Sequence, residues 1–184
     1  MRRDGLAVNL YFRLLILRLR IWRLPRRGLF DESRAAFRVL PNDCDINFHM
    51  NNGRYLTFMD LGRVHLMAQN GLLKVMVCEK WMPVLAAAEI NFIRSIEPFQ
   101  KFELVTRLVS WDEKYFYIDQ KFEAGGKLCA HAYVKGVFLK KGRKLPNSDI
   151  AAAAGYNGAP PPVPDELRLW AELGNAKKQR AAEN

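Results

Sequence analysis

The sequence predicts an α+β domain in which one long central helix is wrapped by an antiparallel β-sheet, with an extra amino-terminal amphipathic helix. Two observations support this fold class. Apolar residues at helical spacing over 52–70 follow one strand-like segment and precede four more. The spacers between those four, EPFQ, DE and AGG, are short enough to make consecutive strands antiparallel hairpin neighbours. A single helix beside such a sheet is expected to bury its apolar face against the sheet and form the centre of the core.

The composition fits one domain with short appendages. The chain has 184 residues, of which 49% are hydrophobic. We expect a basic amphipathic helix over 1–27, the main domain over 28–146, and a Pro-rich linker, short helix and tail over 147–184. The net charge of +10 is concentrated at the amino terminus, where eight arginines accompany one aspartate. The nearly neutral remainder lacks a basic face, so we expect no nucleic-acid binding.

The cysteines point to a reducing compartment. Their number is odd, three, and they show no CxxC spacing, so neither a disulfide framework nor a zinc site is indicated. We expect no metal and no cofactor. The expected location is the cytoplasm, with peripheral attachment at the inner face of a membrane as an addition to it.

The first segment, LYFRLLILRLRIWRL (10–24), is apolar nearly all round and contains four arginines. It is too short and too charged to span a bilayer comfortably, and no small-residue cleavage site follows it. As a helix it places Arg13, Arg20 and Arg23 beside a leucine stripe. Two interpretations remain open. Residues 5–24 lie in a membrane surface with arginines at the headgroups, or they pack on a partner subunit.

The motif DCDINFHMNNGRY (43–55) follows a predicted strand, RAAFRVL (34–40). In an extended conformation Asp45, Asn47 and His49 would project to one side. Asn51 and Asn52 are good helix caps, and the free amides of the helix start lie just beyond them. A carboxylate, an imidazole and a positive helix end in this arrangement suit attack on a carbonyl group.

The predicted central helix has an inward face made of Tyr55, Phe58, Met59, Gly62 and Leu66, with Gly62 permitting close contact. The strands that follow begin at Trp81, and alternation along 115–120 predicts a sheet with two unlike faces. After them we expect an extended linker (AAAAGYNGAPPPVP), a short helix (DELRLWAEL) and disorder over the last ten residues.

The segment DINFHMNNGRY resembles the D-x-N-x-H-x-N-N-x-x-Y segment of acyl-ACP thioesterases. More loosely, it resembles the D-x-x-G-H-x-N-N-x-x-Y segment of the 4-hydroxybenzoyl-CoA thioesterase group. Both belong to the hotdog-fold superfamily, and the order of elements over about 34–141 also matches a hotdog domain. The resemblance implies a hotdog acyl thioesterase that hydrolyses acyl-CoA or acyl-ACP. Plant acyl-ACP thioesterases have two hotdog repeats, so this single copy is expected to form a homodimer or homotetramer.

The resemblance also implies roles for individual residues. Asp45 stands where the family has its catalytic carboxylate, a nucleophile or a base that activates water, and Asn47 and His49 stand where its polar partners lie. The amide near Asn52 corresponds to the donor that polarises the thioester carbonyl, with Asn51 and Tyr55 beside it. Glu89 aligns by spacing with a strand glutamate of the acyl-ACP thioesterase site.

Other interpretations of these residues remain. Phe48 replaces a glycine that hydrolases of the looser pattern often have, and with the basic first helix it favours the alternative of a non-catalytic, membrane-associated acyl-binding hotdog module. A hotdog dehydratase or hydratase ranks below both. Asp45 also fits a turn cap, Tyr55 core packing and Glu89 a salt bridge. Three further side chains are expected to be structural: Cys44, which lies between two aspartates, and His65 and His131, which have no accompanying acid.

Overall fold

One six-stranded antiparallel sheet packs around a long helix in the computed structural model, which describes residues 12–17, 19 and 23–182. The strands are β1 (Ser33–Arg38), β2 (Trp81–Phe92), β3 (Lys101–Trp111), β4 (Phe116–Ala124), β5 (Lys127–Lys140) and β6 (Arg143–Lys144). The helices are α1 (Asn52–Gln69), α2 (Leu72–Glu79), α3 (Asn147–Ala153) and α4 (Asp165–Ala182). The strand order is β1-β3-β4-β5-β2, with β6 paired to β5. The predicted α+β hotdog fold is confirmed.

The central helix α1 begins and packs as its sequence predicts. The side chain of Asn51 accepts the amide of Gly53 at 2.9 Å, which caps the helix start. The expected inward face is buried. A Cβ atom on Gly62 would lie 2.6 Å from Leu104 Cδ2 and 2.7 Å from Thr106 Oγ1, so only glycine lets α1 approach β3 this closely. The helix therefore forms the centre of the core.

Strand β2 does not form the expected hairpin with β3. It pairs with β5, while β3 pairs with β1. The connection 93–100 crosses from one edge of the sheet to the other: the amide of Ile93 donates to Cys129 O (2.8 Å) and that of Phe99 to Val39 O (2.9 Å). The expectation was wrong because β2 ends at Phe92, so the connection has eight residues instead of the four of EPFQ and is long enough to cross the sheet. The other two hairpins, β3–β4 and β4–β5, are confirmed.

The carboxyl-terminal region is more ordered than predicted. Helix α3 occupies the start of the expected linker, and α4 starts at Asp165 as expected but continues to Ala182. The predicted disorder of the last ten residues is thus wrong as far as Ala182. Leu167 of α4 is fully buried in a cluster with Tyr115 and Tyr117, which face away from α1. This burial of apolar surface holds α4 across the outer face of the sheet.

Part of the predicted amino-terminal helix lies outside the described residues, including Arg20. Residues 12–17 and 19 are helical, and Phe12, Leu15 and Leu19 on them are more than half exposed. Arg13 points to the chain's own domain, where it forms an ion pair with Asp43 at 2.6 Å. Within the described residues, no helix combines the length and apolar composition needed to cross a bilayer.

Helix α2 was not predicted, and Gly71, with φ of 87°, joins it to α1.

Candidate active site

Residues 43–51, which we call the site loop, form a closed turn rather than the expected extended segment. Cys44 and Met50 make an antiparallel bridge, and the amide of Asp45 donates to His49 O at 3.1 Å. Asp45 Oδ1 accepts the amide of Asn47 at 2.9 Å, a local bond that favours a turn over a strand. Phe48 completes the turn with a φ of 57°, a value that bulky residues rarely adopt. The predicted one-sided projection was therefore wrong, although the three polar residues do lie in one turn.

His49 has an acidic neighbour that the sequence did not predict. Its Nε2 lies 3.4 Å from Glu97 Oε1, and both side chains are about half exposed. Glu97 belongs to the crossing connection, which is held beside the site loop because the amide of Met50 donates to Ile96 O at 3.0 Å. No local pattern links residues so far apart in the chain. The turn and the crossing connection thus together present two carboxylates, Asp45 and Glu97, and one imidazole at the surface.

The start of α1 offers a free amide. Asn51 accepts the amides of Gly53 and Arg54 through its side-chain and main-chain oxygens, at 2.9 and 2.8 Å. Asn52 is an exposed residue, and within the described part of the chain no acceptor takes its amide. This amide sits at the positive end of the helix, where partial negative charge is stabilised. The arrangement suits an oxygen that gains charge during a reaction.

Tyr55 is part of the core. It is 2% exposed, and its ring packs on Phe92 and Phe122 with centroid distances of 5.0 and 4.8 Å. Burial raises the pKa of Tyr55 to about 12, so its hydroxyl stays protonated at neutral pH.

Glu89 lies on β2, and no hydrogen bond or ion pair of the described residues joins it to the site loop. It is partly exposed and accepts a hydrogen bond from Asn91 Nδ2 at 3.3 Å. Among the described residues it makes no ion pair, so the alternative of a salt-bridge member finds no partner within this chain. Strand β2 is an edge of the sheet, which leaves this part of the chain open to a neighbour.

The other residues considered from the sequence have structural surroundings. Partial burial, followed by the nearby carboxylates of Asp43, Asp45 and Glu97, raises the pKa of Cys44, as expected for a thiol that is not activated. His65 is buried, and its Nδ1 lies 2.7 Å from Ser33 Oγ. No group of side chains in the described residues has the composition and spacing of a metal site.

His131 does have an accompanying acid, contrary to the expectation. Its Nε2 lies 2.7 Å from Oδ1 of Asp119 on the neighbouring strand β4. The two residues are 12 positions apart and meet through the β4–β5 register, which places His131 diagonally across from Asp119. Asp119 shares the outer face of β4 with Tyr117, and Arg107 and Lys121 also contact it. This pair is thus part of an ion network outside the core.

A cavity of about 200 Å³ lies between α1 and the sheet. Its lining is mainly apolar, with Asp60 and Arg63 as its charged members, and includes Leu29, Met67, Leu85, Trp111, Phe116, Ile118, Val134, Phe138 and Ile150. The site loop is not part of the lining. Asp60 lies eight residues along α1 from Asn52, or about 12 Å at the helical rise. An acyl chain that reached the cavity from the loop would therefore run along α1.

Comparisons with known proteins give a matching family model, relatives of similar sequence and a solved structure of the same fold. The model of the thioesterase-like superfamily matches residues 39–171. Protein THEM6 of Xenopus laevis is 30% identical over 170 residues, which are 91% of this chain and 80% of that protein. The probable thioesterase YBR096W of Saccharomyces cerevisiae is 34% identical over 152 residues, which are 79% of this chain and 65% of that protein. The Staphylococcus aureus protein SAV2348, solved in complex with CoA, shares the fold with a TM-score of 0.63 and 13% identity, covering 77% of this chain and 95% of that one.

Proposed function

Because the chain belongs to the thioesterase-like superfamily and is a thioester hydrolase, we propose that it hydrolyses acyl-CoA or acyl-ACP at the site loop. Asp45 is the nucleophile or general base, and the free amide of Asn52 binds the oxygen of the thioester carbonyl. The supporting observation is the closed turn, which holds the partly exposed Asp45 just upstream of a helix start whose Asn52 amide is bound by no acceptor in the described part of the chain.

The reaction has two possible forms at this site. The Asp45 carboxylate either attacks the carbonyl carbon directly or takes a proton from a water that attacks it. In both forms the carbonyl oxygen gains negative charge near the Asn52 amide, and the thiolate then leaves. After direct attack the acyl group is bound to Asp45 as a mixed anhydride, which water hydrolyses to the carboxylic acid and the free Asp45 carboxylate. Asp45 Oδ1 accepts the amide of Asn47, so Oδ2 is the oxygen assigned to chemistry. His49 and Asn47 orient the attacking water, and hydrolysis releases a carboxylic acid and a thiol.

The acyl group runs along α1 toward the apolar cavity. The lining favours hydrocarbon or aromatic groups because burial of apolar surface supplies most of the binding free energy. CoA is the carrier to test first, since SAV2348, a protein that shares this fold, was solved with it.

A homodimer formed through β2, with a homotetramer as the larger alternative, is part of this proposal. As an edge strand, β2 exposes main-chain groups that pair readily with another strand. Its side chains Met82, Leu85 and Phe92 are 57%, 46% and 48% exposed, unusual for apolar residues at a sheet edge in contact with water. Pairing would cover them and place Glu89 at the interface.

Membrane attachment through residues 5–24 is proposed as a separate property. The exposed apolar residues Phe12, Leu15 and Leu19 on the described part of this helix support it. Deletion of residues 5–24 should move the protein from anionic vesicles to the supernatant in a sedimentation assay. If the full chain also stays in the supernatant, the helix is a contact within or between chains.

A non-catalytic acyl-binding module is the second candidate. It is favoured by Phe48, which occupies the turn with a positive φ, and by Asp45 Oδ1, which is engaged in the turn itself. A panel of acyl-CoA substrates with thiol detection separates the candidates. Release of CoA from at least one chain length supports the hydrolase, whereas tight acyl-CoA binding without release at any length supports the binding module.

A further inference from the structure

Asp43, at the base of the site loop, is a fully buried carboxylate that joins four segments of the chain. Its Oδ1 accepts Nε and Nη2 of Arg54 at 3.0 and 2.6 Å. Its Oδ2 accepts the amide of Leu40 at 2.9 Å and Nη2 of Arg13 at 2.6 Å. Its main-chain oxygen accepts the amide of Asn51 at 2.9 Å, which closes the loop. One residue therefore connects the end of β1, the site loop, the start of α1 and the amino-terminal helix.

Arg13 is firmly held in this cluster. Its side chain is 11% exposed, and it also donates from Nη1 and Nη2 to Arg38 O at 3.2 and 3.1 Å. The guanidinium carbon lies 4.7 Å from the centre of the Phe58 ring, a distance typical of a cation–π contact. Contacts of this kind between charged, buried groups are short, directional and costly to break. The amino-terminal helix is thus docked to the domain at the base of the site loop.

The two groups assigned to the chemistry lie on either side of this base. Asp45 is two residues beyond Asp43, and the amide of Asn52 is one residue beyond Asn51. The Asp43–Asn51 hydrogen bond therefore joins the two chain segments that carry the carboxylate and the amide. Loss of the Arg13 contact removes a charged donor from Oδ2, while the bonds of Arg54 to Oδ1 remain. The base of the loop then loses one of its supports, β1 loses the bonds of Arg13 to Arg38 O, and α1 loses the contact of Arg13 with the Phe58 ring.

We propose that Asp43 is a positioning residue of the active site, and that Arg13 makes the geometry of the site loop depend on docking of the amino-terminal helix. This inference rests on the proposed function for its effect on catalysis. Its structural part, the link between Arg13 and the loop, is independent of the reaction.

The kinetic test compares Arg13→Gln with Arg27→Gln. Arg27 is an exposed arginine of the same region, so its replacement removes the same charge without touching the cluster. For Arg13→Gln we expect kcat on acyl-CoA to fall about tenfold to a hundredfold with KM within about twofold, because misplaced groups slow the chemical step more than binding. Arg13→Lys should recover part of kcat. Equal kcat values for Arg13→Gln and Arg27→Gln would overturn the proposal.

Hydrogen exchange of the amides over 43–55 tests the link without any substrate. In Arg13→Gln we expect these amides to exchange about tenfold faster, as loss of one charged hydrogen bond predicts, while those of β4 stay unchanged. Unchanged exchange over 43–55 would overturn the inference even if activity fell. A wild-type chain that hydrolyses no thioester, but whose loop responds to Arg13→Gln, would overturn the proposed function and support the link.

Discussion

Replacement of Asp45 by asparagine separates the chemistry of the site loop from its shape. The asparagine oxygen can still accept the amide of Asn47, which Asp45 Oδ1 accepts at 2.9 Å, so the turn stays closed. The negative charge needed for attack or proton abstraction is lost. We expect kcat to fall about a hundredfold to ten-thousandfold, the usual contribution of such a group. The free energy of unfolding should change by less than about 0.5 kcal/mol, because Asp45 is partly exposed and keeps its hydrogen bond.

The assay measures release of the CoA thiol over a series of acyl chain lengths, with urea unfolding of each variant in parallel. Asp149→Asn, which neutralises an exposed carboxylate on α3, is the matched control and should retain full activity. Asp45→Ala also removes the acceptor in the turn, so it should cost about 1 kcal/mol more in stability. If Asp45→Asn keeps more than about a tenth of wild-type turnover, Asp45 is neither nucleophile nor base.

Three predictions concern packing and pH. Gly62→Ala should destabilise the fold by about 1–3 kcal/mol in urea, since its Cβ would lie 2.6 Å from Leu104 Cδ2, and a neutral effect would contradict the close packing of α1 on β3. Leu167→Ala should cost about 2–5 kcal/mol and Leu169→Ala, on the exposed side of α4, almost nothing; equal effects would contradict the docking of α4. Burial lowers the pKa of His65 below its ordinary 6.5, so the unfolded chain takes up this proton first as the pH falls. The free energy of unfolding should therefore fall as the pH drops below about 6.5, the ordinary pKa of histidine. His65→Asn should show a shallower fall of urea stability between about pH 8 and 5.

The parts of the fold that the sequence predicted correctly depend on short-range chemistry. Asn51 caps α1 because its side chain reaches an amide two residues away, and the inward face of α1 follows from the helical repeat. The hairpins β3–β4 and β4–β5 follow from spacers too short for any other connection. The long α4 was missed because its length depends on Leu167 packing against the outer face of the sheet, which a single segment does not reveal.

The candidate site was predicted in composition and only partly in geometry. Asp45, Asn47 and His49 lie in one turn because they are close in sequence, but the extended conformation was wrong because Asp45 bonds to the backbone of Asn47. Glu97 was missed because its proximity to His49 depends on the crossing connection. The assigned role of Asp45 came from the resemblance to known thioesterases, and it stays a prediction until the Asp45 variants are measured.

The sequence alone determined the elements with their own local signals: the capped helix α1, its buried stripe, the two short hairpins and a motif of polar residues just before a helix. Only the tertiary structure decided which strands became edges, that Glu97 meets His49, and that Arg13 and Arg54 share the buried carboxylate of Asp43. The physical reason is the distance along the chain between the residues that interact. Hydrogen bonds of caps and turns join residues a few positions apart, whereas ion pairs and strand partners join residues tens of positions apart, and the whole chain must fold before they can meet.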